Sequence, residues 1–362
     1  MTDLDRATET DDVPGAAWRH RALVMTVALL AIVGIALLGQ QRHGASGRGD
    51  TAPTSSRSTT MAVHDRVDLA HWISMFPLDQ LRANAREFVE ERARQRPADY
   101  RDQAAMEKHI KLMSPGSEII TSPHDLAVVE QLRKEVFAGG APKRSVPTDV
   151  FIFSAGEPSK RESTKVGGLP YRAAGKPWPR RPTGEPLVFV GQLCFADSKD
   201  LVGDLPGDVL LIFVHEPSYC SPLEFEWVRI GEADPLVQAA EIPPTQPFIE
   251  PVFGVIHRTS DYPDDGDRFR HHKMPYTLDV LEGTKIGGVP RWIQGDESPG
   301  GRFLGTLGPI QPAADKAYPF VNVAAPIPLS ELHKRRDLMF GDMGSIYLFF
   351  DGQRTNGIMQ CY

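Results

Sequence analysis

Residues 164–170 read Thr164-Lys165-Val166-Gly167-Gly168-Leu169-Pro170, and residues 284–290 read Thr284-Lys285-Ile286-Gly287-Gly288-Val289-Pro290. Five of the seven positions are identical. Each heptad leads through aromatic residues into an apolar run with a central glycine: Leu187-Val188-Phe189-Val190-Gly191-Gln192-Leu193 and Arg302-Phe303-Leu304-Gly305-Thr306-Leu307. The recurrence predicts an internal duplication, with two units beginning near 164 and 284 and packed about a pseudo-twofold axis. Paired glycines permit positive φ and close approach of another backbone, and a residue before proline is pushed to an extended form. The loop therefore has two readings. One is a rigid shaping turn. The other is a surface of backbone donors able to cradle a carboxylate, a phosphate or a peptide, with Lys165 and Lys285 alongside. A phosphate loop is excluded, because the Gly-Lys-Ser/Thr ending and the following helix are absent.

Around the repeats the hydrophobic period is two. Residues 149–154, 187–195, 209–215, 224–230, 253–257 and 345–350 are predicted strands, separated by Pro, Gly and Asp clusters. The continuous apolar runs 209–214 and 346–350 predict central strands. No strand–helix–strand rhythm is present, so the sheets should be antiparallel. The 31 prolines, most of them after residue 140, argue the same way, since proline stops helices and cannot donate to a central ladder.

Between residues 63 and 140 the period is helical. Leu78, Leu81, Ala85 and Phe88 share one face of a helix opened by Pro77 and ended at Pro97. A second helix is predicted over 98–113. A third starts with Ser122 as cap, Pro123 at the first position and Asp125 three residues after the cap, and Gly139-Gly140 stops it.

Ala22 to Gly39 (ALVMTVALLAIVGIALLG) carries no charge, and as a helix it reaches about 27 Å, enough for a thin bilayer. The rival reading is a cleaved signal peptide. Its apolar core would be shorter, and Gln40-Gln41-Arg42-His43 is a poor cleavage context, so an uncleaved single-pass anchor is preferred. Arg19 and Arg21 nearly balance Arg42 and Arg48, so orientation rests on the habit that a short N-terminal tail stays inside and a large domain is exported. Residues 43–60 lack any large apolar side chain and read as a tether with a reach of about 23 Å. The expected organisation is a tail (1–21), an anchor (22–39), a linker (40–62), a helical region (63–140) and a strand-rich domain (141–362). The fold class expected is α+β: a transmembrane helix and a helical hairpin, then two similar antiparallel units.

Composition narrows the function classes. An apolar fraction of 41% and a charged fraction of 24% suit a globular core, and a net charge of −7 without a basic stripe argues against nucleic acid. Cys194, Cys220 and Cys361 match no zinc spacing; they read as small buried apolar residues, or Cys194 and Cys220 as a disulfide in an exported domain. No Walker loop, dinucleotide fingerprint, His-Glu-x-x-His or Gly-x-Ser-x-Gly occurs. Asp261, Asp264, Asp265, Asp267, His271 and His272 form the densest polar cluster, but not in an EF-hand register, so they read as a solvated loop. Asp342, in Gly341-Asp342-Met343-Gly344 before an apolar strand, reads as an Asx turn or as a working carboxylate.

Lys165-x-Gly167-Gly168-x-Pro170, Trp178-Pro179 and Phe189-Val190-Gly191-Gln192-Leu193 closely resemble the opening of the YwqG-like family (domain of unknown function number 1963). Residues 287–294 (Gly-Gly-Val-Pro-Arg-Trp-Ile-Gln) resemble its middle motif, and Phe340-Gly341-Asp342-Met343-Gly344 and Gln360-Cys361-Tyr362 its ending. The resemblance spans about 150–362. Phe340 stands where tryptophan is common, and Gly305-Thr306 replaces the usual Leu-Gln before an acidic pair. Residues 287–292 also resemble the programmed-cell-death-2-like ribosomal-protein chaperones, which implies protein-client binding. The resemblance brings no agreed activity. The expectation is a membrane-anchored, non-enzymatic binding module with a protein partner and no cofactor, resident metal or catalytic set. Its contact surface would use Lys165, Gly167, Gly168, Trp178, Gln192, Lys285, Gly287, Gly288, Trp292 and Asp342. The alternative is a metal-dependent hydrolase built on Asp342 and the 261–272 loop.

Overall fold

Val146–Ala155 and Val252–Asp261 alternate side chains between two apolar surroundings, and that alternation makes them the two long strands on which the molecule is assembled. The computed structural model describes residues 62–95, 119–120, 122–215, 222–244, 251–270, 278–310, 340 and 344–361. In chain order its helices are α1 (Leu69–Met75), α2 (Leu78–Gln95), α3 (Pro123–Ala138), α4 (Lys199–Val202) and α5 (Gly266–Arg270). Its strands are β1 (Ile119–Ile120), β2 (Val146–Ala155), β3 (Lys165–Val166), β4 (Val188–Cys194), β5 (Val209–Val214), β6 (Leu223–Val228), β7 (Val252–Asp261), β8 (Glu282–Gly283), β9 (Lys285–Gly287), β10 (Arg302–Leu307), β11 (Ser345–Phe350) and β12 (Thr355–Gln360).

Ten strands form one sheet in the order β12-β11-β10-β9-β2-β7-β3-β4-β5-β6, and every pairing within it is antiparallel. The duplication is visible about the central β2–β7 pair: β3 to β6 flank β7 as β9 to β12 flank β2. The sheet curls into a nearly closed barrel. Its two edges meet through side chains, where Trp227 Nε1 donates to Thr355 Oγ1 at 2.8 Å.

Both repeats carry a bulge at the same place, between Phe189 and Gly191 and between Phe303 and Gly305. A bulge inserts one residue and reverses the parity of the strand. This is why Val188 and Val190 share the barrel interior with Leu193 and Phe195, while Phe189 and Cys194 face outward. The glycines are there for contact. A Cβ at Gly191 would sit 2.7 Å from Lys165 O, and one at Gly305 would overlap Lys285 O.

Three cores result. The barrel interior is filled by residues such as Phe151, Phe153, Ile212, Leu304, Ile346 and Leu348, so it is a packed core, not a channel. Outside β2 and β7, Val150, Ile152 and Val255 meet Leu126, Val129, Leu132 and Val136 of α3. Outside β4 and β5, Phe189, Leu211 and Phe213 are covered by Tyr171, Leu187 and Ala233. The start of α3 is as expected. Ser122 Oγ accepts from Asp125 N at 3.2 Å, and Ser122 N donates to Asp125 Oδ2 at 3.1 Å.

The first described residues are clasped to the barrel. Asp65, Arg66 and Val67 run beside Ile256 of β7, parallel to it. Buried His64 receives the Thr164 N–H on Nε2 at 2.9 Å, so its other nitrogen, 2.9 Å from Asp197 Oδ2, carries the proton. Asp197 also accepts from the Val63 and His64 backbone N–H groups. Burial opposes its ionisation, but the His64 ring and those backbone bonds outweigh it and hold the carboxyl at about 2.

The expected α+β fold is corrected on two counts. The duplicated units are not two sheets packed side by side. The long strand of each half pairs with the short Gly-Gly strand of the other, β2 with β9 and β7 with β3, which fuses both halves into one barrel. Among the described residues helices are few and form no hairpin layer: α1 and α3 pack together, and the start of α2 touches α3. Among the described residues no helix is long and apolar enough to cross a membrane. The predicted anchor (22–39), the predicted helix over 98–113 and Cys220 lie outside the described residues. The apolar runs expected to be central, β5 and β11, are each fully or nearly fully buried but lie second from an edge.

Gly305→Ala should lower the unfolding free energy by about 3 kcal/mol, measured by denaturant titration, because a backbone oxygen occupies the Cβ position. Gly352→Ala, at φ +96° with open space, should cost only about 1 kcal/mol. The Asp197 clasp adds stability in full above about pH 4, and that stability is lost as pH falls through about 2. Asp197→Asn should therefore be less stable than the unsubstituted chain at neutral pH, with the two melting temperatures converging as pH drops toward about 2.

Candidate functional site

The two Gly-Gly loops form the donor cradle that the sequence suggests, and each is filled by a carboxylate of the protein itself. In the first repeat, buried Lys165 places Nζ 2.9 Å from Glu157 Oε2, and the Leu169 N–H donates to Glu157 Oε1 at 2.9 Å. In the second, Lys285 Nζ lies 2.7 Å from Asp261 Oδ2, which also accepts from the Val289 N–H at 2.9 Å, while Asp261 Oδ1 accepts from the Leu281 N–H at 2.9 Å. Gly167, Gly168, Gly287 and Gly288 all have φ between 64° and 73°, and a Cβ on Gly168 or Gly288 would overlap the cradled carboxylate. Burial lowers the pKa of both lysines, with the partner carboxylate working against it. The pairs are unequal: Glu157 is 39% exposed at its side chain and Asp261 is fully buried.

Supporting contacts repeat as well. Thr164 Oγ1 accepts from Cys194 N at 3.0 Å, and Thr284 Oγ1 from Gly308 N at 3.1 Å. Gln192, opposite Lys165, accepts from Tyr171 N at 2.8 Å and donates to Arg161 O and Ser163 O. Thr306 occupies the matching place opposite Lys285 and has no side chain long enough for that clamp. Gln360 of β12 makes a separate clamp in the second half, accepting from Ile293 and Gln294 N–H groups and donating to Gly295 O at 2.8 Å. Trp178 donates to Leu187 O at 2.8 Å and meets Phe213 edge-on, with Arg172 over its ring. Trp292 stacks on Phe349, with centroids 5.9 Å apart. The structure thus divides the sequence-selected residues into two sets. Lys165, Gly167, Gly168 and Gln192 lie on one side of the β2–β7 pair, and Lys285, Gly287 and Gly288 on the other. Asp342 lies outside the described residues.

In the acidic loop, Asp261 is committed to Lys285, and Asp265 accepts from Lys143 N at 2.7 Å. His271 and His272 are outside the described residues. Among the described residues no three His, Cys, Asp or Glu side chains are grouped to hold a metal. Cys194 is buried, and burial pushes its thiol up to about 12, which makes it a poor nucleophile. Sequence reasoning passed over one charged cluster. Arg258 forks onto buried Asp149 at 2.6 and 2.8 Å and onto Asp200 at 2.6 and 3.0 Å, and those bonds raise its pKa. Asp149 and Arg258 face each other in the β2–β7 register, but no sequence period announces such a pair.

What remains open is the seam. β6 and β12 are the two edges of the sheet, with no ladder between them among the described residues. Leu223 and Phe225 rest on Gly357, where a Cβ would lie 2.6 Å from each. Around that contact Glu224, Trp227, Pro299, Gln353, Arg354 and Asn356 line a groove of about 530 Å³. Edge strands carry unpaired N–H and C=O groups that can add a further strand.

The family model described as Domain of unknown function (DUF1963) matches residues 164–354, which take in both Gly-Gly loops and strands β3 to β11. No curated protein matches the chain at a significant level.

Lys285→Met should cost about 3–5 kcal/mol in denaturant unfolding, because it leaves Asp261 charged and buried. Lys165→Met should cost about 1–2 kcal/mol, because Glu157 reaches solvent.

Proposed function

The chain belongs to the DUF1963 family, and from the geometry of its two edges we propose a non-enzymatic binding module, held at a membrane by residues 22–39 with its barrel on the exported side. The seam between β6 and β12 takes an extended segment of a partner protein. The observation that carries this reading is the pair of facing edge strands, bridged by side chains and unladdered among the described residues, at a groove of about 530 Å³. A peptide that adds to such an edge gains main-chain hydrogen bonds, and the groove's side chains set which sequences fit. Exposed Glu224 and Arg354 offer one charge of each sign, and Leu223 and Phe225 an apolar floor. The commitment of Lys165, Lys285, Asp261 and Gln192 to internal bonds supports a scaffold role for the Gly-Gly repeats. The charge-free run 22–39 supports the anchor.

Peptides selected from a displayed random library on the full-length chain should bind the Glu224→Arg/Arg354→Glu double variant about tenfold or more weakly, at an unchanged melting temperature. Equal affinity for both proteins, or a library that yields no binder, would count against the seam.

A further inference from the structure

Helix α1 is a short turn that packs on α3 and that the described residues leave partly open on its other side. None of its residues is buried, and Met75 is 40% exposed. Trp72 stacks on Phe76 at 5.8 Å, and Phe76 meets His124 edge-on, so an aromatic ledge runs along the helix. Gln131 of α3 holds its end rigidly, accepting from Leu78 N at 2.9 Å and donating to Phe76 O at 2.9 Å. Asp68 caps its start, accepting from His71 N at 3.1 Å. Trp72, Ile73 and Phe76 are each partly exposed beside exposed Met75, so apolar side chains held in place reach the surface together.

The position of α1 says what that use is. The clasp of Val63 and His64 onto Asp197 and Thr164 fixes the point where the tether joins the barrel, and α1 begins a few residues later. The tether reaches about 23 Å and joins the barrel here, so α1 is within its reach of the run 22–39. Tryptophan, with a large apolar ring and one N–H, favours the interface between lipid and water. We infer that the α1 face made by Trp72, Ile73, Met75 and Phe76 lies in the lipid interface of the membrane that carries the chain. This rests on the reading of residues 22–39 as an anchor. The barrel is then seated on the bilayer, and the tether does not leave it free to tumble.

The full-length chain in liposomes containing bromine-labelled phospholipids tests both readings separately. Flotation with the liposomes reports the anchor. Trp18 lies beside the run 22–39 and is quenched in any case, so the α1 contact is read as the part of the quenching by brominated lipid that Trp72 contributes; Trp72→Phe should float equally well, keep its melting temperature and lose that part. A second variant, Met75→Asp on the exposed side, should float and show weaker quenching of Trp72. If both variants float with quenching unchanged, the inference is overturned while the anchor stands. If the unsubstituted chain does not float, both fall.

Discussion

The ten-residue ladder between β2 and β7, in register from Val146↔Asp261 to Ala155↔Val252, is the constraint on which everything else depends. Each half of the chain supplies one of these strands, and each strand receives on its outer edge the Gly-Gly strand of the opposite half. Breaking the ladder would leave neither half a complete sheet. It also sets the charge pattern. Asp261 ends β7 and Glu157 follows β2, so both carboxylates arrive from the central strands at the loops that cradle them. The lysine in each loop then meets a charge already fixed in place. A buried ion pair seldom adds much stability over an apolar pair, but breaking one is costly, and this applies to Lys285 and Asp261 more than to Lys165 and Glu157.

Much of this was legible in the sequence because its signals are local. Ser122, Pro123 and Asp125 announce the start of α3, period-two runs announce β2, β4, β5, β6, β7 and β11, and the matched heptads announce the duplication. β12 was missed. Thr355-Asn356-Gly357-Ile358-Met359-Gln360 has a glycine at its centre and no clear alternation, since Gly357 is needed where the opposite edge presses on it.

The exchange of long strands between halves could not be read, because it depends on which partner wins over a distance of many residues, and no local period records that. The same holds for the site. The sequence left each Gly-Gly pair between a shaping turn and a donor cradle, and it could not say that Glu157 and Asp261 take up the donors. Nor could it reveal the seam, since an edge is a property of the finished sheet order. Thr306 is instructive. A reading by alignment of repeats sees a lost glutamine, but not that Gln360, on another strand, clamps the segment after the second Gly-Gly loop.

The exchanged strands also govern how the molecule can be made. β2 leaves the ribosome roughly a hundred residues before β7, and β9 follows later still. At about 5–20 residues per second this is a delay of some seconds, during which the apolar faces of β2 have no ladder to join. The first Gly-Gly unit cannot be completed early either, because its inner neighbour is β7. Neither repeat can therefore mature as an independent module while synthesis continues. The barrel is a late and cooperative event, and a chain truncated before β9 would expose the surface of its own central strand.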